Sequence, residues 1–348
     1  MQFIRMLCTV VPCLVVPLGM ASLSAGGSPP ISEEAAIAAY AKAAKALRIA
    51  EDGEKPTISK AEARTSERTA RVVGSVRKVR SPVLGVDVDA YSGKIVHVQN
   101  ERAWERSYAR AETARQEGTG IGPTQTPKQV LDAAENYCRA LGQNLTPDLG
   151  LRIMEYDDKQ GWWGLGWVRR INGYLFDEEA FSVHIEDQTG DLVFYYNRVT
   201  RITCNTDVRV PKDRALAIAQ GYMSKILPSL VRGQPFEFDL AEEPELWIVY
   251  VNNFAKRAEV WAEFWAKAKA EGMTSPEQLP PPPSEKVLAW ARREAEALQK
   301  ELLPPRARLV YAVSFEFSYV GKEKVHRIRG PVTVWVDAAN GEIVGGIT

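Results

Sequence analysis

Three stretches of the sequence share one spelling: "DAYSGKIVHV" (89–98), "EDQTGDLVFY" (186–195) and "DAANGEIVGG" (337–346). When they are aligned on Gly93, Gly190 and Gly341, the residues before them fall into register as well. Leu84, Val86 and Val88 match Phe181, Val183 and Ile185, and then Val332, Val334 and Val336. A period-two apolar face written three times is the pattern of a strand with one buried side. The alternate face holds Asp87, His184 and Trp335 at one equivalent place, a mixture expected of a solvated side. The phrase between the strands suits a hairpin. An acidic residue (Asp89, Glu186 or Asp337) opens the turn, a small polar residue follows, and the glycine supplies a positive φ. A calcium loop would gather oxygen side chains at short spacing. Ala90, Tyr91, Ala338 and Ala339 fill those places, so the reading is a structural turn without metal or cofactor.

Working outward, each hairpin has a helix upstream. Ser32 N-caps "EEAAIAAYAKAAKAL". Thr126, Pro127 and Gln129 open the second helix with a capping box, and Pro211 starts the third. Further strands are expected at 151–156, 162–170, 180–186 and 192–197, and again at 246–251, 308–320, 331–337 and 342–347. The glycine spacing is 97 residues, then 151. The excess is read as one insertion at 254–306, a helical hairpin around Pro280–Pro283. The fold class is therefore α+β, in tandem repeats of a helix on a small antiparallel sheet. The boundaries are 30–114 (abbreviated), 124–205 and 208–348, with a flexible joint at 115–125 and a tighter one near 205–208.

The N-terminus, "MQFIRMLCTVVPCLVVPLGMASLSAGG", has one positive charge, an apolar run and then small residues. That is the layout of a secretory signal at 1–25, which places the mature chain outside the cytoplasm: secreted, periplasmic or on the cell surface. Pro12 and Pro17 interrupt a run already short for a membrane span, so no stable span is expected after cleavage. Cys138 and Cys204 then remain, as either a helix-to-sheet disulfide or two buried thiols. Acidic and basic residues balance at 44 each, which offers nothing to nucleic acid.

Catalytic motifs are thin. His97, His184 and His326 fall in different repeats without metal-ligand spacing, "GTGIG" (118–122) runs into Pro123, and Glu178, Glu179 and Glu186 make no constellation. The aromatics concentrate at Trp162, Trp163, Trp167 and Tyr174, with Gly164 and Gly166 thinning the alternate face. Core packing is one reading. The other is a cleft that binds a peptide through Trp163 and Trp167 with Arg169 and Arg170.

"WGLGWVRRINGYLFDEEAFSVHIEDQTGDLV" (163–193), with Trp167, Arg169 or Arg170, Asn172, Gly173 and Phe176 before the D-x-x-x-G hairpin, resembles the YcdB/YcdC repeat of the PepSY domain superfamily. The resemblance implies an extracytoplasmic, non-catalytic module, some members of which inhibit a peptidase as its propeptide. No peptidase follows the last expected strand, so a protein or peptide partner would be met in trans. The function expected is a binding module, possible roles being peptidase inhibition or regulation. A cell-envelope scaffold and a hydrolase of envelope polymers are the alternatives.

Overall fold

The computed structural model describes residues 30–49, 55–65, 72–200, 202–230, 236–252, 306–320, 325–327 and 331–347, with isolated positions between 254 and 293. The signal at 1–25 and nearly all of the insertion at 254–306 lie outside them. The chain divides into two compact units, one built from residues 21–65 and 72–201, the other mainly from 202–348. Both are antiparallel sheets carrying helices, so the fold is α+β.

In the first unit the elements are α1 (Glu33–Ala46), β1 (Thr57–Ile58), β2 (Glu62–Thr65), β3 (Val72–Arg80), β4 (Leu84–Asp89), β5 (Ile95–Asn100), α2 (Glu101–Gln116), α3 (Pro127–Ala140), β6 (Leu149–Asp157), β7 (Trp162–Ile171), β8 (Tyr174–Glu186) and β9 (Leu192–Asn197). The strands run β1-β3-β4-β5-β9-β8-β7-β6, with β2 also on β3. The stretch read as abbreviated thus supplies three full strands and two short ones. Helices α1 and α3 bury Ala36, Tyr40, Ala43, Val130, Ala134 and Cys138 against the face made by Leu84, Val86, Val88, Phe181, Val183 and Ile185. All six strand residues are at most 2% exposed. The alternation has done what a half-buried strand requires: one side forms a core, at roughly 25 cal/mol for each Å² of apolar surface removed from water.

The second unit contains α4 (Lys212–Leu230), β10 (Phe236–Leu240), β11 (Glu245–Tyr250), β12 (Ala307–Val320), β13 (Val325–Arg327), β14 (Val332–Asp337) and β15 (Ile343–Ile347). β11, β12, β14 and β15 are consecutive, and β10 and β13 also pair with β12. α4 sets Ala215, Ala219 and Met223 in the core, and Tyr311 donates its hydroxyl to the Val210 carbonyl just before that helix (2.9 Å).

The three turns share their geometry. Asp89 accepts from the backbone of Tyr91 and Ser92. Glu186 accepts from Gln188 and Thr189, and Asp337 from Ala339 and Asn340. The glycines have φ of 70°, 74° and 82°. A bulge lies just before each turn, at Asp87/Val88, His184/Ile185 and Trp335/Val336. The segment entering each helix bonds the carbonyl that follows the acidic residue: Ile31 N to Ala90 O, Gln125 Nε2 to Asp187 O and Val210 N to Ala338 O, at 2.7, 2.6 and 2.9 Å. The carboxylates therefore close the turns, and the turns dock the helices.

A Cβ on Gly341 would also lie 3.1 Å from Ile218 Cδ1, whereas one on Gly93 meets nothing closer than 4.0 Å. Gly93→Ala is expected to cost about 1 kcal/mol for the left-handed backbone alone, and Gly341→Ala about 1–2 kcal/mol. Urea midpoints of the two variants check the order.

Two expectations change. The alternate face is not a solvated side. In the first unit α2 lies across β9, β5 and β8, with Ala103 packed on Trp162 and Val193. In the second, Trp335 is 3% exposed and clusters with Val249, Val310 and Ala312. The cause is a second apolar layer, because a tryptophan carries too much surface to stay wet once neighbours can cover it. The stretch 115–125 is not a free joint either. Its first two residues finish α2, Ile121 is buried, and Thr124 and Gln125 are tied to Asp187.

Candidate functional site

The residues singled out for binding lie on β7, which is held between β6 and β8. The β7–β8 hairpin turns at Asn172 and Gly173, with φ of 51° and 87°. Both positive values fit a two-residue turn that follows the strand twist, which Asn-Gly supplies at little cost.

Trp163 and Trp167 point into the core beneath the helices, 7% and 3% exposed. Trp167 stacks on Phe181 with centroids 4.7 Å apart and planes 8° from parallel. They are packing residues rather than exposed anchors, since alternation puts them on the same side as Leu165. Trp163 donates its indole N–H to Asp187 Oδ1 at 3.0 Å.

Asp187 has no exposed surface, yet it stands where the other two turns have Ala90 and Ala338. Its carboxylate accepts from Thr124 N and Oγ1 and from Gln125 N, at 2.7–3.2 Å. The Arg110 guanidinium is 3.4 Å away. Burial pushes the carboxyl upward, but the Thr124, Gln125 and Trp163 hydrogen bonds outweigh it and hold the group below the usual range. This buried charge is neutralised within the fold and fastens the segment before α3.

Arg169 is also internal. Its Nε donates to Asp148 Oδ2 at 2.8 Å and one terminal nitrogen to Glu179 Oε2 at 2.9 Å. Glu179 is fully buried and accepts at Oε1 from the Thr200 backbone (2.8 Å) and hydroxyl. The register explains how a carboxylate came to be there. Val168 pairs with Ala180 and Arg169 with Phe176, so residues 177–179 loop out of the ladder. Such a bulge re-aims a side chain. Arg170 is exposed and donates to the Gly173 carbonyl at 3.0 Å. The structure does not converge these four residues on a cleft: three are buried and one braces a turn.

The other chemistry-bearing groups are dispersed. His97 and His184 lie on β5 and β8 with β9 between them, and His326 is on β13 in the second unit. Glu186 is engaged by its own turn and Glu179 by Arg169. Cys138 and Cys204 are free thiols, the first buried under α3 and the second half-buried with its Sγ toward the Asn205 carbonyl. They belong to different units, and no disulfide joins them. Burial pushes the Cys138 thiol up to about 12, so it is a poor nucleophile. In a chain beginning at residue 26, both thiols are expected to titrate only after denaturation or slowly, Cys204 first, and reductant should leave Tm unchanged. A thiol count before and after unfolding checks this.

What the sequence reading missed is the exposed strand. β6 pairs with β7 and with no other strand among the described residues. Gly150, Leu151, Arg152, Ile153 and Glu155 are exposed along it, with Leu151 at 41% and Ile153 at 48%. A register shift between Leu151 and Ile153 sets Leu151 opposite Trp167 and Ile153 opposite Gly166. The two apolar side chains therefore face opposite sides of the sheet. The signal was present as a nine-residue strand, "LGLRIMEYD", without proline or lysine, the usual guards of a sheet edge.

No described helix is long and apolar enough to cross a membrane. No family model matches the chain, and no curated protein matches it either. Among solved structures the chain is similar to the Bacillus megaterium YpeB C-terminal domain, at 10% identity over 92% of this chain and 100% of that one, with a TM-score of 0.35.

Proposed function

We propose that the chain is an extracytoplasmic, non-catalytic binding module of three PepSY-like repeats, which takes an extended segment of a protein or peptide along β6. The observation that carries this reading is β6 itself. An edge strand offers a row of backbone donors and acceptors that only another extended backbone matches in spacing. Leu151 and Ile153 would receive alternate side chains on the two faces of the sheet, and Arg152 and Glu155 bias the charge of the partner. The three equivalent turns support the repeat reading, since turn, bulge and helix entry recur together. Two of the residues that could have argued for a hydrolase serve the interior: Glu179 holds Arg169, and Glu186 closes a turn. Regulation of a peptidase in trans is one use of such a module, in which the peptidase or its substrate donates the strand.

The test is selection of binding peptides from a random display library on the purified chain, followed by calorimetry on Ile153→Asp and on peptides N-methylated at alternate residues. The expected result is a loss of affinity of about tenfold or more in both cases, as removal of hydrogen bonds and an apolar contact implies. Affinity unchanged by either would contradict the reading. A doubling of mass in light scattering that Ile153→Asp abolishes would instead assign β6 to a second copy, and so favour the scaffold.

A further inference from the structure

We propose that His184 is an acid-responsive latch for α2, such that protonating its imidazole weakens the packing of that helix on the outer face of β7, β8 and β9. The inference does not depend on β6 binding a partner. His184 sits in a ring cluster. Trp162 lies at 5.8 Å and Phe194 at 5.9 Å, both edge-on at 86°, and Tyr196 lies at 6.4 Å. Trp162 and Phe194 touch each other at 5.5 Å. These same rings, with Val193, form the surface on which Ala103 and Trp104 of α2 are packed. The imidazole and the helix therefore share their neighbours. His184 Nδ1 is buried and has no hydrogen-bond partner among the described residues. A neutral ring can leave an acceptor unmet at modest cost, but an imidazolium would bring a proton and a charge into that place.

The charges around the cluster do not offset this. On β6, Glu155 stands opposite Gly164, which is itself opposite His184, and Asp157 stands opposite Trp162. On β9 the titratable neighbour is Tyr196, and beyond it His97 of β5 stacks on that ring at 4.5 Å. Asp87 of β4 is committed to Arg80 of β3 and lies 3.6 Å from His97 Nδ1. On α2, Arg106 and Arg110 are engaged by Asp191 and Asp187, and Glu101 by Gln99. Burial holds the His184 imidazole below its ordinary value, against a smaller upward pull from Asp157. A histidine depressed in the folded state contributes stability that is complete above the unfolded value, about 6.5. That contribution erodes as pH falls from there toward the folded value. Asp87 and Asp187 are held below the usual carboxylate range, so their contributions erode only below about pH 4. The two windows are separable.

The experiment measures hydrogen-exchange protection factors in the full chain at pH 7.5 and 5.5, with the His184 imidazole resonance followed by NMR over the same range. In the wild type, protection of the α2 amides should fall roughly threefold or more at pH 5.5, since each unit of pKa depression is a tenfold effect. Protection in α1, α3 and α4 should hold. His184→Phe, and His184→Gln should the first fold poorly, should remove the pH response of α2. Equal α2 protection at both pH values would overturn the proposal, as would the same fall in either variant. So would an imidazole that titrates above 6.5, the sign that the rings hold the cation by cation–π attraction. The imidazole titration needs no variant.

Discussion

Arg169→Met is expected to cost the first unit about 3–5 kcal/mol, because it takes away the guanidinium paired with the buried Glu179 carboxylate. Urea unfolding, followed by tryptophan fluorescence, measures the loss. Asp148 would lose its partner too, but it is 39% exposed and water replaces much of that contact. The diagnostic variant is the double replacement Arg169→Met with Glu179→Leu. Once both charges are gone, the remaining cost should shrink to within roughly 1–2 kcal/mol of the wild type, Thr200 having lost its Glu179 acceptor. If Arg169→Met were instead neutral for stability and harmful to ligand binding, Arg169 would be a recognition residue after all.

Trp163→Ala should have a loss of similar size, about 3–5 kcal/mol, for a buried tryptophan emptied from a helix-on-sheet core. It also deprives Asp187 of the indole donor. Trp163→Phe separates the two effects: most of the packing stays, the hydrogen bond goes, and the expected cost is about 1–2 kcal/mol. The pH profile adds a check with a definite sign. Asp187 has its folded value below the unfolded one, so its contribution is present above about pH 4 and lost as pH falls through the folded value. Asp187→Ala, which installs the residue found at the equivalent places 90 and 338, should remove the Asp187 share of that acid limb and leave the share of Asp87. The segment before α3 should then exchange its amides faster, because Thr124 and Gln125 lose their acceptor.

The strands, turns and helix starts were legible because each depends on local chemistry. A period-two apolar run, an acidic residue four places before a glycine, and a Thr-Pro-x-Gln capping box each act within a few residues. Observed strands at 162–171 and 192–197 lie within a residue of those expected. The second layer was not legible. α2 buries only Ala103, Ser107 and Ala111, small residues within a highly charged helix, so its pattern announces no apolar face. Trp335 looked like part of a solvated face because its covering residues come from other strands. Arg169 read as a binding residue, and its pairing with Glu179 went unseen, because nothing local reveals that residues 177–179 leave the ladder. Asp187 shows the same limit: the repeated phrase gives its place, but its partners at 110, 124, 125 and 163 come from three other elements. The candidate site moved for this reason. Trp163, Trp167 and Arg169 were conspicuous by type, whereas Leu151 and Ile153 are ordinary by type and distinguished only by the absence of a neighbouring strand among the described residues.

The most direct measurement is amide chemical-shift mapping of a library-selected peptide on the isotopically labelled chain. The largest changes should fall on residues 149–157, with slowed exchange for the β6 amides that face away from β7. Changes centred instead on residues 163–170, with β6 unaffected, would contradict binding along β6.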